Sequence, residues 1–171
     1  MRILAIANEV DILCYAYFED EKLVEYGKKS VEDLAQLYKE LYEFSYDKKI
    51  TYIVMGWVDL SHLIRKNAIK LTRLRTLVKL ICEQLGIGYA TPKTYGWEKY
   101  LFGDRIQGKR LEREKIEIVN KLYDIGLVRD ELNFQNDGLG IADAIILGGT
   151  FAINKYKKVG DNYYGLWNKK R

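Results

Sequence analysis

Apolar and polar residues recur with two different periods along this chain, and the switches between them mark out its elements. An apolar run from Ile3 to Ile6, a break at Ala7 to Glu9 and a second run from Ile12 to Phe18 predict two strands joined by a tight polar connection. Lys22 to Gly27 supplies a third strand. From Ser30 to Tyr46 the spacing turns helical, with Leu34, Leu37, Tyr38, Leu41 and Tyr42 on one side and Ser30 three residues ahead of Asp33 in a capping-box-like start. Ile50 to Met55 is a short strand ending at Gly56. A long helix follows from about Leu63 to Leu85, with Ile64, Leu71, Leu74, Leu77, Val78 and Ile81 as its inward stripe. Gly86 to Ala90 reads as another short strand, stopped by Pro92, the only proline. Arg110 to Gly126 is a charged amphipathic helix and Ile141 to Tyr156 the last one. The order β-β-β-α-β-α-β-α-α is that of a mixed α/β domain, neither a repeat nor a bundle.

The stretch Asn136 to Ala152, NDGLGIADAIILGGTFA, places one carboxylate, Asp143, at the head of an apolar helix rich in small residues. A buried acid needs a partner, and a divalent metal is a candidate. Taken alone, an Asp near a helix N-terminus is more often a cap or a dipole partner.

Four stretches, spanning roughly Met1 to Ala152, give this pattern more meaning. They are ILAIA with Tyr15 eight residues after Ala7, YIVMG at a strand end before the long helix, TPKTYGWEKYLFG followed by GKRLEREK, and GIADAIILG. In this order they resemble the RuvC-type Holliday-junction resolvases, the shorter phage and Gram-positive members in particular. The resemblance implies an α/β, RNase H-like (retroviral-integrase-like) fold with a central mixed sheet flanked by helices. It also implies a structure-specific, magnesium-dependent endonuclease that acts on branched DNA as a homodimer. Two Mg²⁺ or Mn²⁺ ions about 4 Å apart would clamp the attacking water and the leaving oxygen. In the family four acids hold them: one ends the first strand, one ends the fourth, and a D-x-x-D pair opens the last helix.

This chain departs from that pattern. The first acid's position falls on Ala7, the second on Gly56 and the third on Gly140, so that Asp143 alone remains. One carboxylate does not hold two Mg²⁺ ions against water. The expectation is therefore a branched-DNA binder impaired in cleavage, the alternative being a noncatalytic junction-binding protein on the same fold. Two explanations of the missing acids stay open. Either they have been lost, or neighbouring acids serve instead: Glu9 or Asp11, Asp59, and above all Asp137 as a second metal ligand.

Basic residues are the second signal. The long helix carries Arg65, Lys66, Lys70, Arg73, Arg75 and Lys79 with one acid, Glu83. A solvated face is the ordinary reading; with the resemblance, these residues become phosphate contacts. Lys93, Lys99, Arg105, Lys109, Arg110, Arg113 and Lys115 form a second cluster, in which Lys99 and Lys115 look like the family's active-site lysines that stabilise charge on the phosphate. Lys109 and Arg110 join the DNA-binding set. Trp57 and Leu60 are candidates for the apolar wedge that the family places after the fourth strand. Of the aromatics Tyr95, Trp97, Tyr100 and Phe102, most are expected in the core, the rest facing DNA.

Composition adds bounds. A chain of 171 residues, 48% hydrophobic, is expected to form one domain, with a basic extension over residues 154–171. No long apolar run or signal-like start is present, so a soluble, cytoplasmic protein without a membrane is expected, in the host cytoplasm if phage-encoded. A net charge of +4 fits a nucleic-acid partner without requiring one. Cys14 and Cys82 fall in apolar elements and are expected as buried thiols. His62 is the only histidine, too isolated for a His-based metal site, and no Gly-rich loop points to an organic cofactor. The helix from Leu63 is the candidate dimer interface.

Overall fold

A computed structural model describes residues 1–8, 10–56, 60–61, 63–92, 108–130, 132–133 and 137–157. Its centre is a five-stranded sheet of β1 (Arg2–Asn8), β2 (Ile12–Glu19), β3 (Lys22–Ser30), β4 (Tyr52–Met55) and β5 (Gly88–Ala90) in the order β3-β2-β1-β4-β5. The first three strands form an antiparallel meander, while β4 and β5 join parallel to β1. Parallel pairing needs a crossover, and the helical segments between β3 and β4 and between β4 and β5 supply it.

The strands are apolar at consecutive positions because both faces of the sheet are covered. On one face Leu4, Ile6, Leu13, Tyr17, Ile53 and Met55 pack against α1 (Leu34–Asp47) and α2 (Arg65–Leu85). On the other, Ile3, Ala16, Phe18 and Val54 pack against α3 (Lys109–Tyr123) and α4 (Leu139–Lys157). Adjacent residues such as Ile3 and Leu4 thus serve opposite cores, as the two-residue period of a strand requires.

Several boundaries differ from the sequence reading. The cap of α1 is Asp33, whose Oδ1 accepts the N–H groups of Ala35 and Gln36; Ser30 instead ends β3 and accepts the Glu32 N–H. Ile64 precedes α2 and stands exposed, while Cys82 joins the buried stripe of Leu71, Leu74, Val78 and Ile81. The third helix stops at Asp124, which takes the left-handed conformation, and not at Gly126. The Asn120 side chain holds both the N–H and the carbonyl of Leu127 at 2.8 Å, turning the chain away. The last helix reaches Lys157, so the first residues of the expected basic extension are helical; residues 158–171 lie outside the described residues.

The last helix lies very close to the sheet. A Cβ on Gly148 would stand 2.5 Å from Phe18 Cε2 and 2.8 Å from the Ala5 Cβ, so only glycine permits this approach. Both cysteines are buried free thiols. Among the described residues no helix is long and apolar enough to cross a membrane.

Candidate functional site

The C-terminal ends of β1 and β4 lie side by side. Ile6 is opposite Met55, and the Gly56 N–H donates to the Ile6 carbonyl at 3.0 Å, which sets Gly56 beside the end of β1. Ala7, paired with Cys14 of β2, packs against the core cluster that includes α4. A Cβ on Gly56 would meet the Ile6 carbonyl and Leu147 Cδ2, each at 3.8 Å, which is ordinary contact. Leu147 is one helical turn beyond Asp143 on the same side of α4, and Gly140 is just under one turn before it. Gly56 thus faces the helix that carries Gly140 and Asp143, and Ala7 packs on the same core cluster as that helix. Asp143 lies in the second turn of α4, and the acid at the helix head is Asp137.

The charge facing Asp143 comes from α3. Ile116 and Val119 seat this helix on the α4 side of the core, and the neighbouring Lys115 is carried inside, its side chain 7% exposed. Its Nζ is 2.9 Å from Asp143 Oδ1, with the Asp143 side chain 30% exposed. A lysine is almost never buried to this extent unless paired, and a charge-assisted contact of this length is a strong one.

Two of the acids offered as substitutes, Asp137 and Asp11, are otherwise engaged. Asp137 is buried; its Oδ2 pairs with Arg129 and its Oδ1 accepts the Leu139 N–H at 3.2 Å, capping the start of α4. Its backbone carbonyl accepts from the Lys28 ammonium. Arg129 in turn reaches Glu112 Oε2 on α3 at 3.0 Å. Asp11 is exposed and pairs with Lys70 of α2. Glu9 and Asp59 lie outside the described residues. Among the described residues no group of three or more His, Cys, Asp or Glu side chains could hold a metal ion. Among the described residues, one carboxylate paired with an ammonium does not fit a pair of Mg²⁺ or Mn²⁺ ions, which need several oxygen ligands.

The basic candidates fall in two places. Arg65, Lys66 and Arg73 stand exposed on α2, whereas Lys70 is engaged by Asp11. Lys109 and Arg110 open α3, exposed, with Arg110 Nε 3.3 Å from Glu114 Oε1 one turn on. Leu60 is half-buried in a turn, its carbonyl accepting the Leu63 N–H at 3.2 Å. Trp57 and Lys99 lie outside the described residues, as do His62, Lys93, Arg105 and the aromatics Tyr95, Trp97, Tyr100 and Phe102. Between α1 and α2 runs an apolar groove of about 380 Å³ walled by Leu34, Tyr38, Leu77 and Leu80. The Arg129 network was not anticipated. Glu112, Arg129 and Asp137 belong to no common periodic segment, so nothing local in the sequence marks their meeting.

No protein-family model matches the chain, and no curated protein matches it by sequence. Solved structures do. Thermus thermophilus RuvC in complex with a Holliday junction substrate superposes with a TM-score of 0.69 at 10% identity, over 94% of this chain and 97% of that one. The fowlpox virus resolvase in complex with substrate Holliday junction DNA gives 0.63 at 12% identity, over 92% and 100%. The yeast mitochondrial Holliday junction resolvase Ydc2 gives 0.50 at 11%, over 92% and 82%. With the strand order and parallel crossovers described above, these likenesses establish the RNase H-like fold.

Proposed function

We propose that this chain binds branched DNA on an RNase H-like scaffold and, as its sequence stands, is impaired in cutting it. The observation that carries this is the Lys115–Asp143 pair. Among the described residues, the acid that remains of the expected set, Asp143, pairs with a lysine, while Ala7 and Gly56 stand at the ends of β1 and β4. The superposed Thermus and fowlpox structures are complexes with Holliday junctions, which supports the choice of DNA. Arg65, Lys66 and Arg73 of α2 and Lys109 and Arg110 of α3 are the proposed phosphate contacts, with Lys99 beside the site and Trp57 and Leu60 near the branch point.

Magnesium-dependent hydrolysis of a DNA phosphodiester is the activity proposed for the scaffold once acids stand at positions 7, 56 and 140. The residues described here do not fit two metal ions, so no step is assigned to them. A homodimer is proposed because cutting two symmetry-related strands needs two sites. The apolar groove between α1 and α2 supports a second copy packing there.

The test is cleavage and binding of a labelled four-way junction, with Mg²⁺ and with Mn²⁺. The chain is compared with a variant carrying Ala7→Asp, Gly56→Glu and Gly140→Asp. The expected result is junction binding by both and cutting by the variant alone, which identifies a disarmed nuclease. Binding by both with cutting by neither makes the scaffold a junction-binding module. Absence of binding by both overturns the proposal.

A further inference from the structure

We propose that Asp11 is an internal stand-in for a DNA phosphate: its carboxylate occupies Lys70, the middle cation of a basic stripe on α2, and holds that position back from the nucleic acid. The inference deepens the proposed function and rests on α2 being a DNA-contacting helix.

The stripe follows from helical spacing. Lys70 lies four residues after Lys66 and three before Arg73, which puts the three on one side of α2. From Lys66 to Arg73 the helix advances about 10 Å, the rise of about three nucleotides along one strand of a duplex. Lys66 and Arg73 stand exposed at the two ends, while between them the Lys70 ammonium is paired with Asp11. A carboxylate and a phosphodiester offer a lysine the same thing, an anionic oxygen that accepts its N–H groups. Asp11 therefore fills the place on Lys70 that a phosphate laid across Lys66 and Arg73 would take.

Holding the turn together does not account for the pair. Asp11 lies between β1 and β2, and its backbone carbonyl accepts the Val31 N–H at 3.1 Å, which already ties this turn to the segment leading into α1. The Lys70 and Asp11 side chains are 38% and 63% exposed. Ion pairs this open to water add little to folding and are screened by salt. Their effect on a third charge is larger in consequence. A phosphate arriving at Lys70 either displaces the Asp11 carboxylate or meets its negative charge, and both reduce what the contact contributes to binding. Lys66 and Arg73 impose no such exchange, so the stripe binds through its ends and is braked at its centre.

The experiment is fluorescence anisotropy across a salt series, with a labelled four-way junction and with a linear duplex of the same arm sequence. The intact chain is compared with Asp11→Asn, Lys70→Gln and the double substitution. Asp11→Asn is expected to tighten binding about two- to fivefold and to steepen the slope of log affinity against log salt by up to about 0.9, the worth of one phosphate. Lys70→Gln should change the affinity of the parent by less than about twofold, yet abolish the whole gain in the Asp11→Asn background. Melting temperatures of the four proteins should agree within about 3 °C. An equal gain from Asp11→Asn with lysine or glutamine at position 70 would overturn the proposal, because Asp11 would then act through overall charge alone. Unchanged affinity in Asp11→Asn overturns it too, as does a fall of more than about 5 °C in both single variants, which would make the pair a structural one. The coupling seen on both DNAs without preference for the junction supports the exchange and overturns the choice of branched DNA; absence of binding to either DNA overturns both.

Discussion

Arg129 and Asp137 form an ion pair whose acid member also caps the last helix, its Oδ1 accepting the Leu139 N–H at 3.2 Å. The guanidinium, the cap and Glu112 of α3 are consequently one unit, and the loop between the two helices is pinned at Asp137. Removing the cation leaves a buried carboxylate without its strongest partner. Arg129→Met is expected to cost about 2–4 kcal/mol of stability, measured by urea unfolding. Asp137→Asn keeps the cap while losing the ion pair and should cost less. Equal losses in the two variants would show that the lost ion pair, and not a stranded buried carboxylate, sets the cost.

Two glycines of the same region should respond oppositely to a methyl group. Gly148→Ala places its Cβ 2.5 Å from Phe18 Cε2, and the expected loss of about 1–3 kcal/mol outweighs the gain in helix propensity. Gly56→Ala meets nothing closer than 3.8 Å and should stay within about 1 kcal/mol of the parent. Urea midpoints at constant slope check both, and a destabilised Gly56→Ala would mean that the strand end has no room for a larger side chain.

If α2 contacts phosphates, its residues should not contribute alike. Arg65→Gln and Lys66→Gln remove exposed charges and are each expected to lower the slope of log affinity against log salt by about 0.9. Lys70→Gln should change it less, because its ammonium is already paired with Asp11. Asp11→Asn releases Lys70 and should tighten junction binding. Fluorescence anisotropy across a salt series measures all four, and an unchanged slope for Arg65 and Lys66 would move the DNA off this helix.

Alkaline pH offers an independent probe of the core. Burial, reinforced by the Glu25 carboxylate that accepts its hydroxyl at 3.0 Å, pushes the Tyr15 phenol up to about 12, and burial does the same to Tyr123. The folded state thus favours the neutral phenols, while the unfolded chain ionises them near its ordinary value of 10.0. Their contribution is fully present below pH 10 and is lost as the pH rises through about 12. Tyr15→Phe and Tyr123→Phe should each flatten the fall in stability over that window, followed by urea midpoint against pH.

The meander, the long helix and the apolar last helix were legible in the sequence because each has one dominant period over many residues. The grouping of Ala7, Gly56 and Gly140 with Asp143 was proposed only through the motifs at two strand ends and a helix start, since no local period links residues so far apart. Asp137 was read as a spare metal ligand because its spacing from Asp143 suits one. Its actual partners, Arg129 and the Leu139 N–H, are set by a loop with no periodic signal. Ser30 illustrates the same limit in miniature: the strand continues through it and Asp33 takes the cap.

The sheet order has a kinetic corollary. β1, β2 and β3 pair with their neighbours in sequence, so the meander closes short loops, whereas β1 meets β4 only after the intervening chain has folded back to set Ile3 beside Tyr52. Local pairing precedes distant pairing when loop closure limits the rate, and pulse-labelled amide exchange should protect Ala16 before Val54. Ala7 belongs to the early meander, while Gly56 and Asp143 arrive with the late elements. The region around Asp143 is therefore a seam between two stages of folding, and it comes into being only as the molecule finishes closing.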